Sequence, residues 1–235
     1  MRYAIYFTPS AEDALTATAA SWLGRDAFRG MTMPTVTPED LDPATFAALT
    51  DEARRYGFHA TLKAPFALKD SVTETELVDA FQTFAASIDP FEIDEIVLGR
   101  LGNFFALVPG GPCPPLQDLA RECVARFDRF RAALTQAEIE RRKPDELTAN
   151  QRMNLMTWGY PYVLDDFRFH MTLTGQVPQP LHAAFRSAIE TRFSQFLNRP
   201  LPVNHLALFV EPAKGAAFTV HTIRQLGRPL SRKFA

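Results

Sequence analysis

Apolar positions along this 235-residue chain switch repeatedly between a two-residue period and a helical one, and the switches predict alternating strands and helices. Arg2 to Phe7 is short, aromatic and β-branched and stops before Pro9, which reads as a strand. Ser10 to Leu23 is Ala-rich behind a Ser cap and closes at Gly24, which reads as a helix. A helix over 43–55 and a strand over 57–66 follow. Apolar residues at 77, 78, 81, 84 and 85 put a helix at 74–87. Strands are predicted at 91–98 and 103–108, then a long helix over 115–134. Thr135 and Glu138 form a capping-box pattern for a short helix, Pro144 breaks it, and a second helix runs over roughly 148–158. The strand FRFHMTLTG (167–175), a helix over 180–197 and strands at 203–211 and 217–226 complete the chain.

One string occurs twice. Phe58-His59-Ala60-Thr61-Leu62 returns as Phe169-His170-Met171-Thr172-Leu173, with the second histidine 111 residues after the first (59 to 170). Each copy is followed by a helix and two strands, so the outline is a duplicated strand–helix–strand–strand unit. Such a duplication predicts an α+β fold of two pseudo-symmetric lobes in one domain. Lobe 1 covers about 1–134, a helical insertion about 135–158, and lobe 2 about 159–235.

Side chains alternate along a strand. Phe58, Ala60 and Leu62 therefore face one way, and His59, Thr61 and Lys63 the other. In the second copy Arg168, His170, Thr172 and Thr174 share the polar face. Facing each other across a cleft, the two polar faces would gather two imidazoles, two hydroxyls, a lysine and an arginine. Phosphodiester cleavage uses such a set. One imidazole takes a proton from the nucleophile and the other gives one to the leaving oxygen, both feasible for a group titrating near pH 6.5. Hydroxyl, ammonium and guanidinium donors hold the phosphate oxygens. Tyr6, on one face of its strand with Arg2 and Ala4, is a further candidate for reaching the phosphate.

The paired H-x-T motifs resemble the two-histidine (2H) phosphoesterase superfamily, and the resemblance covers nearly the whole chain. RYGFHATLKAPF (55–66), WGYPYVLDDFRFHMTLTG (158–175) and LFVEP (208–212) are similar to the branch associated with bacterial phosphonate-utilisation genes. The resemblance implies two α+β lobes around a central cleft, each a mainly antiparallel sheet with helices on its outer face. It implies His59 and His170 as the catalytic pair and Thr61 and Thr172 as phosphate-binding hydroxyls. It further implies a metal-independent phosphodiesterase acting on a small phosphorylated metabolite, such as a ribosyl cyclic phosphate of phosphonate catabolism. Two other readings stay open: an enzyme processing RNA 2′,3′-cyclic phosphate ends, and a non-catalytic binder of a phosphate ligand.

Composition narrows these choices. With 25 Lys+Arg against 27 Asp+Glu, the net charge is −2, which argues against a partner as large and acidic as long nucleic acid. The two cysteines, Cys113 and Cys123, have neither zinc-site nor disulfide-framework spacing, and no H-E-x-x-H, P-loop or G-x-G-x-x-G occurs, so no metal or cofactor is expected. No apolar run is long enough to span a membrane, no signal peptide is evident, and a cytoplasmic address is expected. His182, His205 and His221 lack the threonine partner and read as structural or surface residues. Asp165-Asp166 reads as a solvated loop, and Arg141-Arg142-Lys143 as a helix end that can also cap the cleft electrostatically.

Overall fold

The computed structural model describes residues 1–227. Its main sheet is built from β1 (Arg2–Phe7), β4 (Ala60–Phe66), β5 (Phe91–Leu101), β6 (Phe104–Pro109), β7 (Met171–Thr172), β8 (Arg199–Val203), β9 (His205–Glu211) and β10 (Thr219–Gln225). The spatial order is β10-β9-β1-β4-β7-β6-β5-β8, and every neighbouring pair is antiparallel. A separate ribbon joins β2 (Arg25–Asp26) to β3 (Met31–Thr32). The helices are α1 (Ala14–Leu23), α2 (Pro43–Tyr56), α3 (Glu74–Ser87), α4 (Pro114–Phe127), α5 (Gln136–Arg141), α6 (Ala149–Trp158) and α7 (His182–Arg192).

The sheet has to curl. β8 and β9 are joined by the single residue Asn204, yet six strand spacings separate them in the order. At about 4.8 Å per spacing, a flat sheet could not be bridged by one residue. Helices cover the outer face. Leu15 and Trp22 of α1, Phe81 of α3, Leu119 of α4 and Phe185 of α7 enter one continuous core with Tyr3, Ile5 and Phe7 of β1. On the inner face Ala4, Tyr6, Ala207, Phe209 and Phe218 form a second, small apolar cluster.

The two motif strands, β4 and β7, are the middle pair of the order, and four strands lie on each half. The duplicated units exchange strands across this midline. β5 and β6, which follow β4 in sequence, hydrogen-bond to the half that contains β7. β9 and β10, which follow β7, join β4 through β1. The halves are thus spatial, and each is built from both units.

Several boundaries differ from the pattern-based expectation, each for a local reason. α1 starts after Asp13, whose carboxylate accepts from the Leu15 N–H, and not at Ser10. The helix expected over 115–134 ends at Phe127, because residues beyond it pair sideways: Lys69 N–H donates to Phe130 O, and Ala132 N–H to Ala67 O. β8 is a separate strand that the pattern did not predict. It carries Pro200 and Pro202, which an edge position tolerates. The second motif strand is regular only at Met171–Thr172, and the first begins at Ala60, so each histidine stands just ahead of its strand.

Two anchors hold the short β7. Trp22 Nε1–H donates to Leu173 O at 2.9 Å from the helix layer. Buried Thr174 accepts from Phe105 N–H and donates to Gly175 O, both at 2.9 Å. Trp22→Phe removes the first bond and leaves a buried carbonyl unpartnered. The expected loss is about 1–3 kcal/mol from the missing partner, read from the denaturant midpoint at constant m-value.

Candidate active site

Register brings the two motifs together. Ala60 pairs with Met171, so along the antiparallel ladder His59 comes opposite Thr172 and Thr61 opposite His170. All four line one cavity of about 540 Å³ on the inner face.

Both imidazoles are fixed in the same way. His59 Nδ1–H donates to Gly57 O at 2.9 Å, and His170 Nδ1–H donates to Arg168 O at 2.7 Å. Each bond reaches the carbonyl two residues back and leaves Nε2 for the cavity. Gly57 makes the first possible. Its φ of 75° and ψ of 176° are glycine territory, and a Cβ there would lie 2.5 Å from the Ala27 Cβ. His59 Nε2 lies 3.3 Å from the Thr61 hydroxyl, and its ring stacks on Tyr6 with centroids 3.8 Å apart. Burial pushes the His59 pKa down to about 4, against the upward pull of the Gly57 carbonyl, and nearby His170 lowers it further. Burial also lowers the His170 pKa, opposed by the Arg168 carbonyl. The resting site at neutral pH thus holds two neutral imidazoles.

Basic side chains surround them. Arg2, Arg55, Arg141, Arg142 and Lys214 line the cavity, with Glu52 as the one acidic lining residue. Arg2 and Arg55 are clamped by fully buried Glu211, which also accepts from the Gly215 N–H. Burial works against the Glu211 charge, but these bonds outweigh it and keep its pKa low. Arg142 lies over the Tyr160 ring, 4.9 Å from its centroid. Arg141, Arg142 and Lys214 have no carboxylate within ion-pair distance among the described residues. A chain of net charge −2 thus concentrates unbalanced positive charge at this cavity.

Of the other sequence candidates, Tyr6 is in the cavity wall; its ring is almost wholly buried against His59, and burial raises its pKa well above the usual phenol value. Arg168 is exposed, donates to the carbonyls of Asp165 and Phe167, and lines a smaller neighbouring chamber of about 320 Å³. Lys63 is not in the cleft. The pairing of β1 with β4 slips between Tyr6↔Thr61 and Ile5↔Lys63, so β4 carries an extra residue there. The bulge breaks alternation and sends Lys63 to the helix side. There Nζ donates to Val124 O at 3.2 Å and to Asp128 at 3.3 Å, and burial lowers its pKa to about 8.

Of the insertion's basic run, Arg141 and Arg142 line the cavity and Lys143 pairs instead with Glu146. The Thr135–Glu138 capping box forms, and Arg141, Arg142 and Tyr160 wall the cavity. Arg55 and Glu211 were missed as functional residues although both lie inside the strings 55–66 and 208–212 quoted above. Lys214, on the β9–β10 loop, and Phe104 had no sequence signal. Asp166 is a hydrogen-bond hub for Asn150, Gln151 and Asn154. Among the described residues no group of three or more His, Cys, Asp or Glu side chains is arranged to hold a metal ion. No helix there is long and apolar enough to cross a membrane.

The family model described as "Protein of unknown function (DUF1045)" matches residues 61–219. A protein of Janthinobacterium sp. (strain Marseille) named ribose 1,5-bisphosphate phosphokinase PhnN is 37% identical over 224 residues, 92% of this chain and 49% of that protein. The chain spans about half the length of the curated relatives it matches. Among solved structures, a phosphoesterase is 14% identical with a TM-score of 0.45, covering 97% of this chain and 99% of its own. E. coli LigT complexed with NADP+ is 13% identical with a TM-score of 0.46, covering 97% and 98%.

Two outcomes follow from the geometry. Lys63→Met keeps a side chain of similar length in the helix-side pocket and leaves Asp128 paired with Arg131, so the kcat/KM of the chain's reaction should be unchanged; a large fall would return Lys63 to the cleft. His59, neutral in the fold down to about pH 4, titrates near 6.5 when unfolded. The unfolded chain therefore binds more protons between those values, and the His59 contribution to stability, complete above 6.5, is lost as pH falls toward 4. Denaturant unfolding of His59→Asn at pH 7 and pH 5 should show a smaller drop than the parent chain.

Proposed function

From the premise that the chain belongs to the DUF1045 family, we propose that it is a metal-independent phosphodiesterase that opens a small cyclic phosphate. The observation that carries the reading is the pair of imidazoles fixed through Nδ1 just ahead of adjacent antiparallel strands, with both Nε2 atoms left to one basic cavity. One Nε2 takes the proton of the attacking water as its oxygen bonds to phosphorus. The other supplies a proton to the departing sugar oxygen as the P–O bond breaks. The hydroxyls of Thr61 and Thr172 and the surrounding guanidinium groups stabilise the charge on the non-bridging oxygens.

Two neutral imidazoles need one proton before such a cycle can begin. An incoming phosphate anion favours the charged form of a neighbouring imidazole, so substrate itself raises the affinity of the site for that proton. The same two depressed pKa values place the kcat/KM maximum on the acid side of 6.5.

The cavity walls and the names of the relatives support a size and a chemistry for the substrate. Arg141, Arg142 and Tyr160 close one side of the cavity, which supports a small metabolite over a strand of RNA. The relatives are named for a kinase of ribose 1,5-bisphosphate, and this chain lacks a P-loop, so on this reading the kinase belongs to the part of those proteins outside the match. A unit joined to such a kinase would itself handle a ribosyl phosphate. That supports a ribosyl cyclic phosphate as substrate.

The test is hydrolysis of ribosyl and nucleoside cyclic phosphates in the presence of EDTA. Activity should persist, with a bell-shaped pH profile of kcat/KM. His59→Ala and His170→Ala should each lose about 10²–10⁴-fold with unchanged circular dichroism. Activity restored only by added divalent metal, or unchanged rates in both variants, would contradict the reading.

A further inference from the structure

The basic cavity has two ends. At one, the Tyr6 ring stacks on His59, and Thr61, His170 and Thr172 complete the wall. The other lies four residues back along β1, a backbone distance of about 13 Å, where Arg2 stands in register with Glu211. Separate parts of the chain converge there on one buried carboxylate. Glu211 accepts from Arg2 Nε, from Arg55 Nη2 and from the Gly215 N–H, and Arg55 Nε donates to Ala216 O. These bonds fix both arginines and the β9–β10 loop, yet they leave donors over. The two Nη groups of Arg2, Nη1 of Arg55 and Nζ of Lys214 have no protein acceptor among the described residues. All three side chains line the cavity. Arg141 approaches the same end: the Thr135 N–H holds the Glu138 pKa low, and Arg141 and Arg2 lower it further. Arg2, Arg55, Arg141, Arg142 and Lys214 thus face three carboxylates, those of Glu52, Glu138 and Glu211. The positive surplus exceeds the single charge of a cyclic phosphodiester.

We propose that this end of the cavity is a second anion subsite, built for a phosphomonoester, and that the substrate therefore carries two phosphates. The cyclic one sits at the histidines, which rests on the phosphodiesterase reading; the monoester sits among Arg2, Arg55 and Lys214. A phosphomonoester is nearly a dianion at neutral pH and offers three acceptor oxygens, which matches a group of unspent guanidinium and ammonium donors. A lone cyclic phosphate at the histidines leaves those donors unused and their charge unbalanced. Tyr56 links the two ends: its ring centroid is 5.2 Å from the Arg55 guanidinium and 6.0 Å from the His59 ring. One sugar ring with a phosphate on either side can cover that span. Glu211 makes the subsite more than an attracting field. It holds both guanidinium groups and, through Gly215, the loop that carries Lys214, so little ordering is left for binding to impose. A field alone draws every anion alike, whereas fixed donors at one end select a molecule with a second anionic group at the right distance.

The experiment has a binding arm and a kinetic arm, both at about pH 7.5, where a phosphomonoester is mostly dianionic. Titration calorimetry compares 1,3-propanediol bisphosphate with propyl phosphate, neither of which the enzyme can open. The bisphosphate should bind about tenfold tighter or better, the effect of one additional charge-assisted contact or more. Lys214→Met, an exposed change, should remove most of that advantage and alter propyl phosphate binding much less. Hydrolysis is then compared for methyl β-ribofuranoside 2,3-cyclic phosphate and the same compound bearing a 5-phosphate. The 5-phosphate should raise kcat/KM by about tenfold or more, and Lys214→Met should cost more on that substrate than on the unphosphorylated one. Equal binding of the two propyl compounds, or a Lys214→Met effect of the same size on both members of each pair, overturns the subsite and reduces the basic end to general attraction. Hydrolysis of the cyclic phosphates in that case leaves the phosphodiesterase reading standing. Selective binding of the bisphosphate with hydrolysis of neither cyclic phosphate supports the subsite and contradicts the phosphodiesterase reading instead.

Discussion

The pairing of β4 with β7 at the centre of the sheet is the constraint on which the candidate site depends. It is a short contact, recorded at Ala60 and Met171, but it sets the face and the spacing of both motifs. A slip of one residue would turn one histidine–threonine pair toward the helices, because strand side chains alternate. Little of the contact's security comes from β7 itself. Pairing with β6, the Trp22 indole and the buried Thr174 hydroxyl hold it from three directions. The exchange of strand pairs between the duplicated units adds to this, since neither half of the sheet is complete without residues from both.

The electrostatics divide the same space unevenly. Burial keeps both imidazoles neutral, while five basic side chains stand around them against one carboxylate in the wall. Glu211 pairs with both Arg2 and Arg55, fixes their positions and offsets one of their two charges. Arg141, Arg142 and Lys214 carry charge that an anion entering the cavity would balance. His170 also lines an adjoining chamber whose wall is mainly apolar and aromatic, with Asp166 and Arg168 as its charged members.

Much of this was legible in the sequence, and the rest was not for definable reasons. The repeat of His-x-Thr, read with strand alternation, put His59, Thr61, His170 and Thr172 on one polar face, and the fold does the same. Alternation failed at Lys63 because a bulge adds one residue to β4, and a bulge leaves no mark in a period-two pattern. β8 was missed because two prolines look like a loop until an edge position is known. Exchange of strand pairs between units is invisible to a linear repeat. Arg2, Arg55 and Glu211 meet from positions far apart in the chain, and only tertiary structure brings them together. The basic end of the insertion was recognisable by its charge, and its place over the cavity follows from α5 and the turn after it.

The central claim is that two imidazoles act on opposite sides of one phosphorus. A crystal structure with bound vanadate, which mimics a five-coordinate phosphorus, tests it most directly. The account predicts one apical oxygen within about 3 Å of His59 Nε2 and the other within about 3 Å of His170 Nε2. Both imidazoles on the same apical oxygen, or either one out of hydrogen-bond reach, would contradict it.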